Sequence, residues 1–89
     1  MTKKQKIDKY VLAFIEEFEE AEKKFPSWPD DIIHAVSIMN EEAGESIQAA
    51  IDVFYKNHNT DHLENELIQT AAMCLRTLVK LNGGNNGRR

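Results

Sequence analysis

Apolar residues recur every three or four positions through most of this chain, a spacing that predicts three helices. Over residues 3–24, Ile7, Val11, Phe14, Phe18, Ala21 and Phe25 mark one helical face. Between them lie Glu16, Glu17, Glu19, Glu20, Glu22, Lys23 and Lys24. This acidic run reads as a solvated face in preference to a metal site, and the two lysines suit the negative end of the helix dipole. Phe25-Pro26-Ser27-Trp28-Pro29-Asp30-Asp31 breaks the pattern, since two close prolines end one helix and begin another. Ser27 is the expected cap, with Asp30 as its capping-box partner and Pro29 in the first turn. The second helix is then expected over residues 28–57, with Ile32, Val36, Met39, Ala43, Ile47, Ala50 and Phe54 as its core stripe. Lys56 to Asp61 forms a turn, and Thr60 or Asp61 caps a third helix over 61–82. Leu63, Leu67, Ala71, Cys74, Leu75, Leu78 and Leu81 are expected to face the core. Gly83 stops that helix, and residues 83–89 read as a flexible tail in which Arg88 and Arg89 carry no assigned role.

The expected fold class is therefore all-α: a single domain over residues 1–82, its three helices in antiparallel succession. A chain of 89 residues has a marginal core of its own, burying only about 60–65% of its unfolded surface. Dimerisation that completes a four-helix bundle around the acids is expected, with both subunits contributing to an active site. A net charge of −4 argues against a polymeric nucleic acid partner. The single cysteine, Cys74, excludes an internal disulfide and fits a reducing, cytoplasmic setting. No apolar run approaches the length of a membrane span, and none follows the Lys-rich N-terminus as a secretory signal would require.

The candidate chemistry lies in two acidic clusters on the second and third helices. Glu42 and Glu45 are three apart and share a face, as do Glu66 and Gln69. At ~100° per residue, Glu42 and Glu45 point roughly 130° from the centre of the apolar stripe, near Ile38, Ala49 and Asp52. Glu41 points further round. An antiparallel helix pair brings the two clusters together, and such a group of carboxylates repels itself unless a cation sits in it. All-oxygen donors suit Mg²⁺ or Mn²⁺. On the third helix Glu66, Gln69, Met73, Arg76, Thr77 and Lys80 share the polar side. Arg76 lies about 15 Å beyond Glu66 along the axis, a span that suits a bound polyphosphate. The alternative is an ordinary polar face. Trp28 is either a plug over the end of the core or a flat wall for a nucleobase. Gly44 marks either a close approach to the backbone or a tolerated weak spot. His58 and His62 read as surface residues.

Glu-Glu-x-x-Glu followed, after a gap, by Glu-x-x-Asp is the pattern of the MazG-like, all-α nucleoside triphosphate pyrophosphohydrolases, and this chain resembles it. Glu41-Glu42-Ala43-Gly44-Glu45 completes the first half, and Glu66-Leu67-Ile68-Gln69 supplies the second. The stretch from Trp28 to Leu81 looks like the catalytic region, with His34 ahead of the first motif and Ala72-Met73-Cys74-Leu75-Arg76 after the second. The resemblance implies Mg²⁺ (or Mn²⁺) held by Glu42, Glu45 and Glu66, with position 69 completing the set. It implies hydrolysis of a nucleoside triphosphate to monophosphate and pyrophosphate, and assembly as dimers or tetramers. The departure is Gln69, whose amide oxygen can ligate the metal but supplies no charge. Catalytic candidates are thus Glu41, Glu42, Glu45 and Glu66, with Glu41 or Asp52 as proton acceptor. Trp28, Arg76, Lys80 and Lys56 are the candidates for substrate binding. Two other readings stand beside this one. The first is a non-catalytic helical module that binds a nucleotide or a protein partner, and the second is a structural helical dimer.

Overall fold

The computed structural model describes residues 1–82 and consists of α1 (Lys3–Lys24), α2 (Ile32–Lys56) and α3 (Asp61–Asn82), with no strand among the described residues. The tail expected over residues 83–89 lies outside them. Thr2 opens α1 with a capping box: its hydroxyl accepts from Gln5 N at 3.1 Å, and its own N–H donates to Gln5 Oε1 at 2.8 Å. The helix ends where Phe25 N donates to Ala21 O at 2.8 Å, just before Pro26.

The second helix begins later than its sequence suggests. Asp31, not Ser27, is the cap, and its Oδ1 accepts from Ile33 N (2.9 Å) and His34 N (3.4 Å). A carboxylate there satisfies two orphan donors and complements the dipole, while Pro29 disfavours helical dihedrals at Trp28. Trp28 is thereby left on the connection. Asn57 closes α2 in the left-handed region (φ 57°), which asparagine tolerates better than most residues. At the start of α3, Thr60 Oγ1 donates to Glu64 Oε2 at 2.7 Å, and Glu64 N donates to Thr60 O at 2.8 Å.

The third helix is central. Both α1 and α2 pack on it, and they do not pack on each other. In α1 the expected face turns inward only in part: Ala21 is buried and Phe14 and Phe18 are half-buried, whereas Ile7, Val11 and Phe25 are exposed. The other two helices depart from expectation. Ile32, Val36, Ile47, Ala50 and Phe54 of the α2 stripe are exposed, with only Met39 and Ala43 half-buried. The face that α2 turns toward α3 carries Ala35, Ser46 and Ala49, all buried. In α3 Leu67, Leu78 and Leu81 are exposed, Leu63, Ala71, Cys74 and Leu75 are half-buried, and Glu66, Ala72 and Arg76 are buried.

The physical reason lies in side-chain size. Small residues let α2 and α3 approach closely, and helix spacing is set by the side chains at the contact. The bulky apolar stripes are thus left on the outside of the protomer. Among the described residues the buried apolar ones are four alanines, Ala21, Ala35, Ala49 and Ala72. A side chain added at Gly44 would meet nothing within 4 Å, so no neighbour within the protomer requires glycine there. Among the described residues no helix is long and apolar enough to cross a membrane.

Candidate functional site

The inward faces of α2 and α3 carry the acids. Two hydroxyls pin these helices together close by. Thr70 Oγ1 donates to Glu66 O at 2.8 Å, Ser46 Oγ donates to Glu42 O at 3.3 Å, and the two hydroxyl oxygens meet 3.3 Å apart between the helices. Ser46 and Thr70 each lie four residues beyond an acid, one turn along from Glu42 and Glu66. The pin therefore holds the two glutamates opposite each other. One oxygen from each of Glu42, Glu45 and Glu66 lies within 4.8 Å of the others. Glu66 is only 7% exposed, Glu42 is half-buried and Glu45 is exposed. The cluster is thus closed on one side and open to solvent on the other.

Glu42 Oε2 and Glu66 Oε1 are buried and have no hydrogen-bond partner among the described residues. An orphaned carboxylate oxygen is costly, and two of them beside a third carboxylate favour either protons or a cation. Burial pushes the Glu42 carboxyl above the usual carboxylate range, reinforced by the charges of Glu45, Glu66, Glu17 and Glu41. Burial does the same to Glu66, reinforced by hydrogen bonding to Glu45 and by its charge; His62, with Nε2 4.0 Å from Glu66 Oε2, offsets part of the effect. The donor set is all oxygen, three-fold acidic and partly dehydrated. It fits a hard divalent cation such as Mg²⁺ or Mn²⁺.

These shifts have a consequence for stability. At pH values above the ordinary carboxylate range, folded Glu42 and Glu66 hold protons that the unfolded chain has released. Stability therefore falls as pH rises through that window. Asp52, whose partial desolvation is outweighed by hydrogen bonds from Lys56 and Gln48, shifts the other way, but its window lies below the ordinary range. Metal-free protein is expected to melt at a higher temperature at mildly acidic than at neutral pH, with a flatter slope in Glu66→Gln. A melting temperature that climbs between those pH values would contradict this electrostatic picture.

Because α1 and α2 do not meet, the space between them above α3 is open. It forms a cavity of about 540 Å³, lined by Glu17, Glu20 and Lys24 of α1, by Trp28 on the connection, by Ile38 and Glu42 of α2, and by Gln69, Met73 and Arg76 of α3. The acidic cluster thus opens, through Glu42, onto a partly apolar hollow. Trp28 lines this hollow, and its Nε1 is buried without a hydrogen-bond partner among the described residues. Its ring also packs on Arg76, whose guanidinium carbon lies 4.4 Å from the ring centroid.

Arg76 is 3% exposed, and two of its three guanidinium nitrogens are hydrogen-bonded. Its Nε donates to Glu22 Oε2 at 2.7 Å, and a terminal nitrogen donates to the Phe25 carbonyl. The residue ties α3 to the end of α1 and holds the Trp28 ring, rather than pointing freely along the polar face. Lys80 pairs with Asp30 at 2.9 Å, and Lys56 pairs with Asp52 at 3.3 Å. Lys56 is eleven residues beyond Glu45, ~16 Å along α2, so the fold does not bring it to the acids. Glu41 is exposed and lines a shallow groove with Ile32, Ile33 and Val36, away from the cavity. Gln69 lines the cavity together with Glu42.

Sequence reasoning missed two contributors from α1. Glu17 and Glu20 belong to a run that reads as solvent-facing, yet both line the cavity. A signal was present for Glu17: it lies three residues after Phe14 and four before Ala21, which puts it on the flank of the inward face. Glu22 is likewise the ion-pair partner of a buried arginine 54 residues away. Comparison with known proteins gives no match to a family model, to a curated protein or to a solved structure.

Proposed function

We propose that this chain is a divalent-metal-dependent nucleoside triphosphate pyrophosphohydrolase that acts as a homodimer. The observation that carries the reading is the convergence of Glu42, Glu45 and Glu66, with two buried, unpartnered carboxylate oxygens, beside a cavity of about 540 Å³. That size is within the range of about 300–1,000 Å³ usual for small-molecule sites. The resemblance of Glu41 to Glu45 and Glu66 to Gln69 to the MazG-like motifs supports the same reading.

Glu42, Glu45 and Glu66 hold the cation. When bound, such an ion neutralises phosphate oxygens and lowers the pKa of a ligated water, the two demands of phosphoanhydride hydrolysis. Gln69 offers an amide oxygen at the cavity edge. The hollow between α1 and α2 receives the nucleoside, with Trp28 as a wall whose indole N–H seeks an acceptor. Arg76 is a positioning residue, since its charge is spent on Glu22 and its plane on Trp28. Asp52 is bound by Lys56 and Gln48 and is a poor proton acceptor.

The homodimer is supported by the bulky residues left uncovered. Val36, Ile47 and Phe54 are 46%, 64% and 76% exposed on one stripe of α2. Apolar positions 32, 36, 39, 43, 47, 50 and 54 run in steps of 4, 3, 4, 4, 3 and 4, an 11-residue repeat that keeps one stripe facing a partner helix. A second copy covers this seam and completes the four-helix core that the alanine-lined protomer lacks.

Thermal unfolding with Mg²⁺ and a panel of nucleoside triphosphates tests the site. A ligand at about one hundred times its dissociation constant adds ~2.7 kcal/mol of stability, a shift of several degrees in a domain of this size. One nucleotide is expected to give that shift in a metal-dependent way, and Glu45→Ala to lose it. An equal shift in Glu45→Ala, or none with any nucleotide, would contradict the reading. A nucleotide-dependent shift without turnover would instead favour a non-catalytic binding module, the reading that neutral Gln69 supports.

A further inference from the structure

Glu17 makes no hydrogen bond or ion pair among the described residues, although it is half-buried and lines the cavity with Glu42 and Gln69. Of the two cations lining the same cavity, Arg76 is paired with Glu22, and Lys24 makes no ion pair with Glu17, so a half-buried carboxylate faces other carboxylates without a salt bridge of its own. Glu17 lines the cavity that separates α1 from α2, two helices that do not pack on each other. The cluster across the cavity includes Glu66, which is 7% exposed and has an oxygen without a partner. The carboxylates on the two sides of the cavity are thus left without a cation in direct contact with Glu17 or Glu42 among the described residues.

Resting on the metal-site reading above, we infer that Glu17 is a fourth carboxylate of that site, reaching across the cavity from α1 to a hydrated divalent cation held by Glu42, Glu45 and Glu66. It supplies the charge that the neutral Gln69 amide does not. The cation then does a second job, linking α1 to α2, which have no packing of their own. The repulsion that Glu17 exerts on Glu42 agrees with this placement. Glu20, one turn away on the outer edge of the same cavity, is exposed and serves as the comparison.

Mn²⁺ binding to the full chain, read from the electron paramagnetic resonance signal of free Mn²⁺, tests the assignment without reference to activity. Glu17→Gln is expected to weaken Mn²⁺ affinity about tenfold, in line with the 10–100-fold cost of losing groups that support a metal. Glu20→Gln is expected to stay within about twofold, below that 10–100-fold range. Metal-free Glu17→Gln is expected to melt no lower than the parent chain, because the change removes a like-charge repulsion. Unchanged Mn²⁺ affinity in Glu17→Gln would overturn the role of Glu17 and leave the three-carboxylate site standing. An equal loss in Glu20→Gln would reduce the effect to general surface charge and overturn it as well. A lower metal-free melting temperature in Glu17→Gln would make the residue structural. No Mn²⁺ binding by the parent chain would overturn the metal site itself, and Glu17 with it.

Discussion

Glu66→Gln is expected to lower nucleoside triphosphate hydrolysis by roughly a hundredfold or more, while making the metal-free protein more stable. The magnitude follows because even groups that only support a metal's ligands cost about 10–100-fold when removed, and Glu66 is assigned as a ligand. The opposite sign for stability follows from its surroundings. Its carboxyl is 7% exposed, has an oxygen without a hydrogen-bond partner and is pushed above the usual carboxylate range by burial and by Glu45. An amide of the same shape relieves that strain. A residue kept for packing would behave differently: its loss would lower both stability and activity. Opposed effects on stability and turnover are the signature of a site built against the stability of its fold. The melting temperature without metal and the rate with Mg²⁺, measured on the same preparation, check both halves.

The second large effect concerns assembly. Val36→Glu combined with Ile47→Glu is expected to break the homodimer. The parent chain should sediment at twice its 10.2 kDa mass, and its melting temperature should rise with protein concentration. Burying a side chain such as valine or isoleucine is worth about 1.5–3 kcal/mol. Putting a charge at two such positions removes that gain and adds the cost of dehydrating the carboxylates. The protomer has little to fall back on, since the buried apolar residues among those described are four alanines. The variant is therefore expected to run at 10.2 kDa with a melting temperature lowered by more than ten degrees, or to be unfolded. At about 4–8 °C per kcal/mol for a domain of this size, losing two such side chains from the interface is enough. A parent chain that sediments at 10.2 kDa with a concentration-independent melting temperature would rule out a homotypic seam.

The same seam explains what the sequence could and could not reveal. Helix extents came through well in α1 and α3, where a capping residue and a steady apolar period agree. In α2 the start moved from residue 28 to Ile32, because Asp31 outcompetes Ser27 as cap and Pro29 holds Trp28 out of the helix. The faces were harder. An apolar period says that a stripe will be covered, not by what, and the stripes of α2 and α3 are left outside the protomer. The residues that settle which faces meet within one chain are Ala35, Ser46, Ala49 and Ala72, small side chains that leave a weak mark in any hydropathy pattern. The meeting of Glu42, Glu45 and Glu66 was legible because two antiparallel helices joined by a short turn have few other ways to align. The cavity was not legible, because it exists only where α1 and α2 fail to touch. For that reason Glu17 looked like part of a solvated face and Arg76 like a free cation, when one faces the acids and the other is locked between Glu22 and Trp28.

The most direct test of the central claim is to follow the products from a panel of nucleoside triphosphates with Mg²⁺ by phosphorus NMR, in the parent chain and in Glu66→Gln. The account predicts that at least one nucleotide gives monophosphate and pyrophosphate, only when Mg²⁺ is present, and that Glu66→Gln does not form them. Absence of cleavage with every nucleotide, release of diphosphate and inorganic phosphate, or cleavage that persists in Glu66→Gln would contradict it.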